Sequence, residues 1–147
     1  MRGEFIRGDG LVIPNNITKD GARILLAAAV RNDVPSFEVG LVDAQPDPLL
    51  TVEKMIEPSA TGGYARIAVT RDLAGWPTQG ELNGETYFET AALVWSATEA
   101  FDESVRRLAL FSNDEVVALS SAMPAPLVIT PDTTLPNRSF KYRIYAR

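Results

Sequence analysis

The chain has 147 residues, 46% of them hydrophobic and 22% charged, with a formal net charge of −5. That length makes one domain able to bury its own core. Cysteine and histidine are both absent, which removes disulfides, thiolate metal sites and the commonest general acid–base group. The acidic balance opposes direct nucleic-acid binding, and no apolar run is long enough for a membrane helix.

Residues 1–13 read as an extended arm, because Gly3, Gly8 and Gly10 interrupt the apolar Phe5, Leu11, Val12 and Ile13. The charged start has no apolar segment behind it and is not read as a signal peptide. A helix is expected near 18–31. Thr18 can cap it, Ala22, Leu25, Leu26 and Ala29 form an apolar stripe, and Asn32, Asp33 and Pro35 end it. Leu25 and Leu26 are both expected to be buried.

After Pro35 the period changes to two. Phe37, Val39 and Leu41 alternate as a half-buried strand, and 50–56 and 65–71 read as further strands. Residues 73–84 read as a long irregular loop around Trp76, and 86–95 as one long or two short strands ending at Trp95. Val105, Leu108 and Leu110 sit in the next strand, Asn113-Asp114 makes a tight turn, and 116–119 and 127–130 continue the series. In the last segment Phe140, Tyr142, Ile144 and Ala146 alternate with Lys141, Arg143, Tyr145 and Arg147. The expected fold class is mainly β: a jelly-roll-like antiparallel β-sandwich over 14–147, with one N-terminal helix and the arm.

Arg7-Gly8-Asp9 spells an integrin-binding tripeptide, but a glycine-flanked turn is the better account. Asn16-Ile17-Thr18 and Asn137-Arg138-Ser139 fit the glycosylation pattern and are read as cap and turn residues. Asp43, Asp47, Glu53 and Glu57 lack the spacing of a calcium loop and read as a solvated rim. The lysines are Lys19, Lys54 and Lys141, and none lies in a Ser-x-x-Lys pattern. No catalytic residue, metal site or cofactor is assigned, so an enzyme is not expected.

Trp95 ends an apolar run and is expected in the core. Trp76, beside Pro77, is either a plug over the open end of the sandwich or an interface anchor. Phe5, Trp76 and the basic face of Lys141, Arg143 and Arg147 are the interface candidates. The basic face could meet acidic turns of a neighbour, which include Asp43, Asp47, Asp102 and Glu103.

The pattern Asn-x-x-Thr-x-x-Gly-x-x-x-Leu-Leu corresponds here to Asn15 or Asn16, Thr18, Gly21, Leu25 and Leu26. A Gly-Tyr-Ala-Arg strand at 63–66, a Phe strand, a Trp and Val-x-x-Leu-Ala-Leu-Phe at 105–111 follow, before a final hydrophobic strand. This order resembles small β-sandwich virion proteins of tailed bacteriophages, over most of 15–147. The resemblance implies a non-catalytic capsid decoration (cement) protein, often trimeric, that binds the major capsid protein or other virion subunits. The alternatives are a tail-fibre or baseplate component, or a carbohydrate-binding module that uses Trp76, Tyr64 and Tyr87.

Overall fold

The computed structural model describes residues 2–31, 36–43, 50–102 and 105–146. Among the described residues, ten strands form one antiparallel, curled sheet. They are β1 (Arg2–Arg7), β2 (Val12–Ile17), β3 (Phe37–Val42), β4 (Ile67–Val69), β5 (Thr78–Leu82), β6 (Glu85–Glu89), β7 (Leu93–Val94), β8 (Arg107–Ser112), β9 (Glu115–Ser120) and β10 (Ser139–Ala146). Helix α1 (Lys19–Arg31) follows β2, and the short α2 (Leu135–Arg138) precedes β10. The strand order is β4-β3-β8-β9-β2-β1-β10-β6-β5, with β7 also on β10. The mainly β, antiparallel character is as expected; the hydrogen bonds join the strands into one continuous sheet.

Hairpin turns set much of the register. Asn83-Gly84 joins β5 to β6, and Asn113-Asp114 joins β8 to β9. All four residues have positive φ, between 49° and 78°, the backbone that two-residue hairpins with right-twisted strands require. The Asn/Gly pair was legible as a turn. The strand before it was not, so 78–82 is β5 rather than irregular loop.

The detached arm is corrected. β1 lies in the middle of the sheet, paired with β2 on one side and β10 on the other. Phe5 is fully buried and packs on Tyr142, its cross-strand partner, with ring centroids 4.8 Å apart. Gly8 and Gly10 mark the β1–β2 turn, where Arg7 folds back on Asp9. The tripeptide is therefore a turn closed on itself.

The main core cluster has Phe5, Val39, Leu41, Trp95, Leu108, Leu110, Phe140 and Tyr142 among its members. A second cluster lies across β8 and β9, where Val42, Ala109, Phe111, Val116 and Leu119 meet Leu50. That cover explains why the end of β8 and most of β9 are buried on both faces. The covering segment is not the strand expected over 50–56. It contains a single 3₁₀ turn at Val52–Lys54, and Ile56 bridges Asp43. Residues 127–130 likewise contribute one bridge, Leu127 to Val105.

Helix α1 begins as expected. The Thr18 hydroxyl accepts from the Gly21 amide at 2.9 Å and donates to the Val116 carbonyl. The buried stripe is rotated from the expected one. Gly21 is buried and Ile24, Leu25 and Ala28 are half-buried, whereas Ala22 is exposed and Leu26 is 61% exposed. Gly21 decides this: a Cβ there would lie 1.9 Å from the Val117 carbonyl oxygen, so the helix touches β9 backbone to backbone at that point. The side chain of Ala29 and the residues expected to end the helix, 32–35, lie outside the described set.

Candidate functional site: an apolar cleft at the seam of the sheet

The two edge strands, β4 and β5, are consecutive in the chain, so residues 70–77 run from one sheet edge to the other. Nine residue steps extend at most about 30 Å, so this link holds the curl together. Its shape is fixed locally. The Asp72 carboxylate accepts from the Thr70 hydroxyl at 2.6 Å and from the amides of Ala74 and Gly75 at 3.0 and 2.9 Å. These hydrogen bonds, the Thr70 one foremost, hold its carboxyl below the usual range. Gly75 has no space for a side chain, since a Cβ would sit 1.9 Å from the Thr70 carbonyl oxygen. The Gly75 carbonyl accepts from Ala91 at 3.0 Å, and the Trp76 amide donates to the Asp72 carbonyl at 2.9 Å.

The loop thereby delivers Trp76 between two limbs of the sheet. Its ring stands edge-on to Phe37 of β3, at 6.5 Å and 77°, and to Tyr142 of β10, at 6.1 Å and 74°. Next to it lies a cleft of about 490 Å³. Leu25 and Ala28 of α1, Leu110 of β8, Phe88 of β6 and Ile144 of β10 line it with these rings, and Arg71, Asp72 and Leu73 come from the loop. Leu110 and Tyr142 are fully buried, while Phe88 is 43% and Leu73 84% exposed. Burial pushes the Tyr142 hydroxyl up to about 12, against the hydrogen bond from Asn15, so the ring stays neutral.

The outer face of the same strands carries a different arrangement. Glu4, Arg143 and Glu89 are opposite one another on β1, β10 and β6, as are Arg2, Tyr145 and Tyr87. Arg143 donates to Glu89 and, at 3.3 Å, to Glu4, and Lys141 donates to Glu89 at 2.9 Å. Tyr145 donates to Glu4. The Arg2 guanidinium lies 3.7 Å from the Tyr145 ring centroid, and that of Arg143 4.2 Å from Tyr87. Burial raises the Glu89 carboxyl, but Lys141 and Arg143 outweigh it and hold it below the usual range.

The interface candidates are therefore not brought together. Phe5 is core. Lys141 and Arg143 belong to the outer ladder, whose carboxylates are in this same chain. Trp76 lies beside the cleft, half-buried and packed against the core. Arg147 lies outside the described residues, as do Asp47 and Glu103. Trp95 is buried in the core, and its indole N–H donates to the Ala65 carbonyl at 3.0 Å. Tyr64 is buried, and its hydroxyl donates to Glu57 at 2.7 Å. Glu57 in turn clamps Arg66 at 2.7 Å, which makes it a buttress rather than part of a solvated rim. Asp102 accepts from the Ser59 amide at 2.8 Å.

Leu73, Phe88 and Leu110 escaped the sequence reading as site residues. Leu73 stands alone in a polar loop, and Phe88 and Leu110 follow an ordinary strand alternation. The available signal was Trp76 in a loop with no nearby apolar run. No protein-family model, curated protein or solved structure matches the chain.

Proposed function

We propose that the chain is a structural subunit of a tailed-bacteriophage virion, a capsid decoration protein that binds coat subunits and acts without chemistry of its own. The observation that carries this reading is the outward side of α1. Leu26 and Val30, one turn apart, are 61% and 80% exposed, and Leu73 of the 70–77 loop is also exposed. Apolar groups of this size on a helix surface gain free energy when a partner removes them from water. The order of motifs that resembles phage virion proteins supplies the kind of partner. In this reading the limbs of the curled sheet serve as the layers of a jelly-roll-like sandwich, and the subunits assemble as trimers.

The ionic contacts expected with a neighbour move elsewhere in this account. Lys141 and Arg143 are committed to Glu89 and Glu4 inside the chain, so apolar contact carries the affinity. The test is co-sedimentation of labelled protein with purified heads and tails of the phage that encodes it. Binding to heads, lost in Leu26→Asp/Val30→Asp, is expected. Binding confined to tails would assign a tail component, and binding to neither would remove the virion reading.

A further inference from the structure

We propose that the cleft beside Trp76 is a binding site for a small, apolar, ring-bearing molecule with one hydrogen-bond acceptor. Its volume of about 490 Å³ lies within the range of about 300–1,000 Å³ found for small-molecule sites. A void of this size between packed elements leaves the lining atoms without contacts on one side. Collapse would close it, yet the surroundings prevent collapse. Asp72 and the tight approach at Gly75 fix the loop, and Trp76 is wedged between Phe37 and Tyr142. The space is held open before any ligand arrives, which lowers the ordering cost of binding.

The lining also sets the class of ligand. Phe37, Trp76, Phe88 and Tyr142 suit a ring, because edge-to-face and offset packing both favour aromatic neighbours. Several polar groups of the lining are already engaged. Asp72 Oδ1 accepts three hydrogen bonds, the Tyr142 hydroxyl accepts from Asn15, and Arg71 has a partner within the fold. The Trp76 indole N–H donates to none of the described residues, in contrast to that of Trp95. One free donor matches a single carbonyl, ester or ether oxygen. An extended peptide in the cleft would bring several backbone groups needing partners, and this lining does not provide them.

The proposal stands apart from the virion reading, and its test uses the full chain alone. N-phenyl-naphthylamine, a neutral dye that fluoresces in apolar surroundings, is titrated into the protein. Saturation at one dye per chain is expected. Ala28→Trp, which fills the cleft from α1, should weaken binding by about tenfold or more, and Leu25→Phe gives the same test from the neighbouring position. Acetylnaphthalene should displace the dye about fivefold better than ethylnaphthalene, the scale of one hydrogen bond. Trp76→Phe, which keeps a ring and removes the N–H, should abolish that preference while the dye still binds.

Non-saturating dye uptake, or uptake unchanged in both filling variants, would overturn the proposal. An acetyl preference that survives Trp76→Phe would overturn the assigned donor and with it the ligand class. Dye exclusion that rises with protein concentration, in step with a dimer seen by sedimentation, would make a second copy the occupant and end the small-molecule assignment.

Discussion

The two faces of β10 are chemically opposite in what they leave undone. On the outer face, Lys141 and Arg143 find Glu89 and Glu4 on the strands at either side, and Tyr145 closes the ladder. On the inner face, Tyr142 and Ile144 line a cleft that the described residues leave open. A conspicuous cationic stripe in a sequence thus marks a finished structural device, whereas a lone loop tryptophan marks unfinished surface. The physical reason is desolvation. Glu89 is almost fully buried, and a buried carboxylate demands its cations from within the fold, while an apolar cleft open to water only forgoes contacts.

The sharpest way to break this picture is to remove the strand that both faces share. Deleting residues 1–12 takes away β1, which pairs with β10 along its whole length and places Phe5 on Tyr142. Global unfolding is expected, seen as lost near-ultraviolet circular dichroism and a collapsed amide NMR spectrum. A folded truncated protein would mean that β10 can pair without β1.

The tryptophans divide next. Trp95→Ala empties a buried core position and loses an indole hydrogen bond, at a cost of about 3–5 kcal/mol. Trp76→Ala removes a half-buried ring and should cost about 1–2 kcal/mol. Urea titration of both variants checks the order, and equal costs would place Trp76 in the core rather than at its edge.

On the outer face, Arg143→Ala strands Glu4 and Glu89 with one cation fewer and should cost about 3 kcal/mol in the same titration. The ladder also predicts an acid response. The folded-state carboxyl of Glu89 is depressed below its ordinary value of 4.5. Its contribution is therefore present above pH 4.5 and is lost as pH falls through the lower folded value. Glu89→Gln should be less stable than the parent at pH 7, with the gap narrowing below pH 4.5. A gap that stays constant to pH 2 would show that Glu89 does not gain from its cations.

Much of this fold was legible because local rules agreed with tertiary ones. The Thr18 cap, the Asn113-Asp114 turn and the final strand each follow from short-range chemistry. Several of the misses share a cause, which is contact with segments distant in the chain. Glycines at 3, 8 and 10 look like an arm until β10, far along the chain, supplies a partner. Lys141 and Arg143 look available to a neighbour until β6 brings Glu89 beside them. In the cleft, Trp76 was visible but its companions were not, since only the curl of the sheet sets Phe88 and Leu110 near the same space.

The smallest expected effect on stability concerns adjacent leucines. Periodicity alone put Leu25 and Leu26 on one buried stripe. The close approach of Gly21 to β9 rotates the helix, so that Leu25 packs on the core and lines the cleft while Leu26 points outward. Leu25→Ala should cost about 2 kcal/mol, the lower end for a buried leucine, because the side chain is only half covered. Leu26→Ala should stay within about 0.5 kcal/mol of the parent, as for other exposed positions. Thermal unfolding of the two variants side by side is the measurement. If Leu26→Ala melts as low as Leu25→Ala, the outward face of α1 is covered within the monomer. Leu26 would then no longer be available for the partner contact that the proposed function assigns to it.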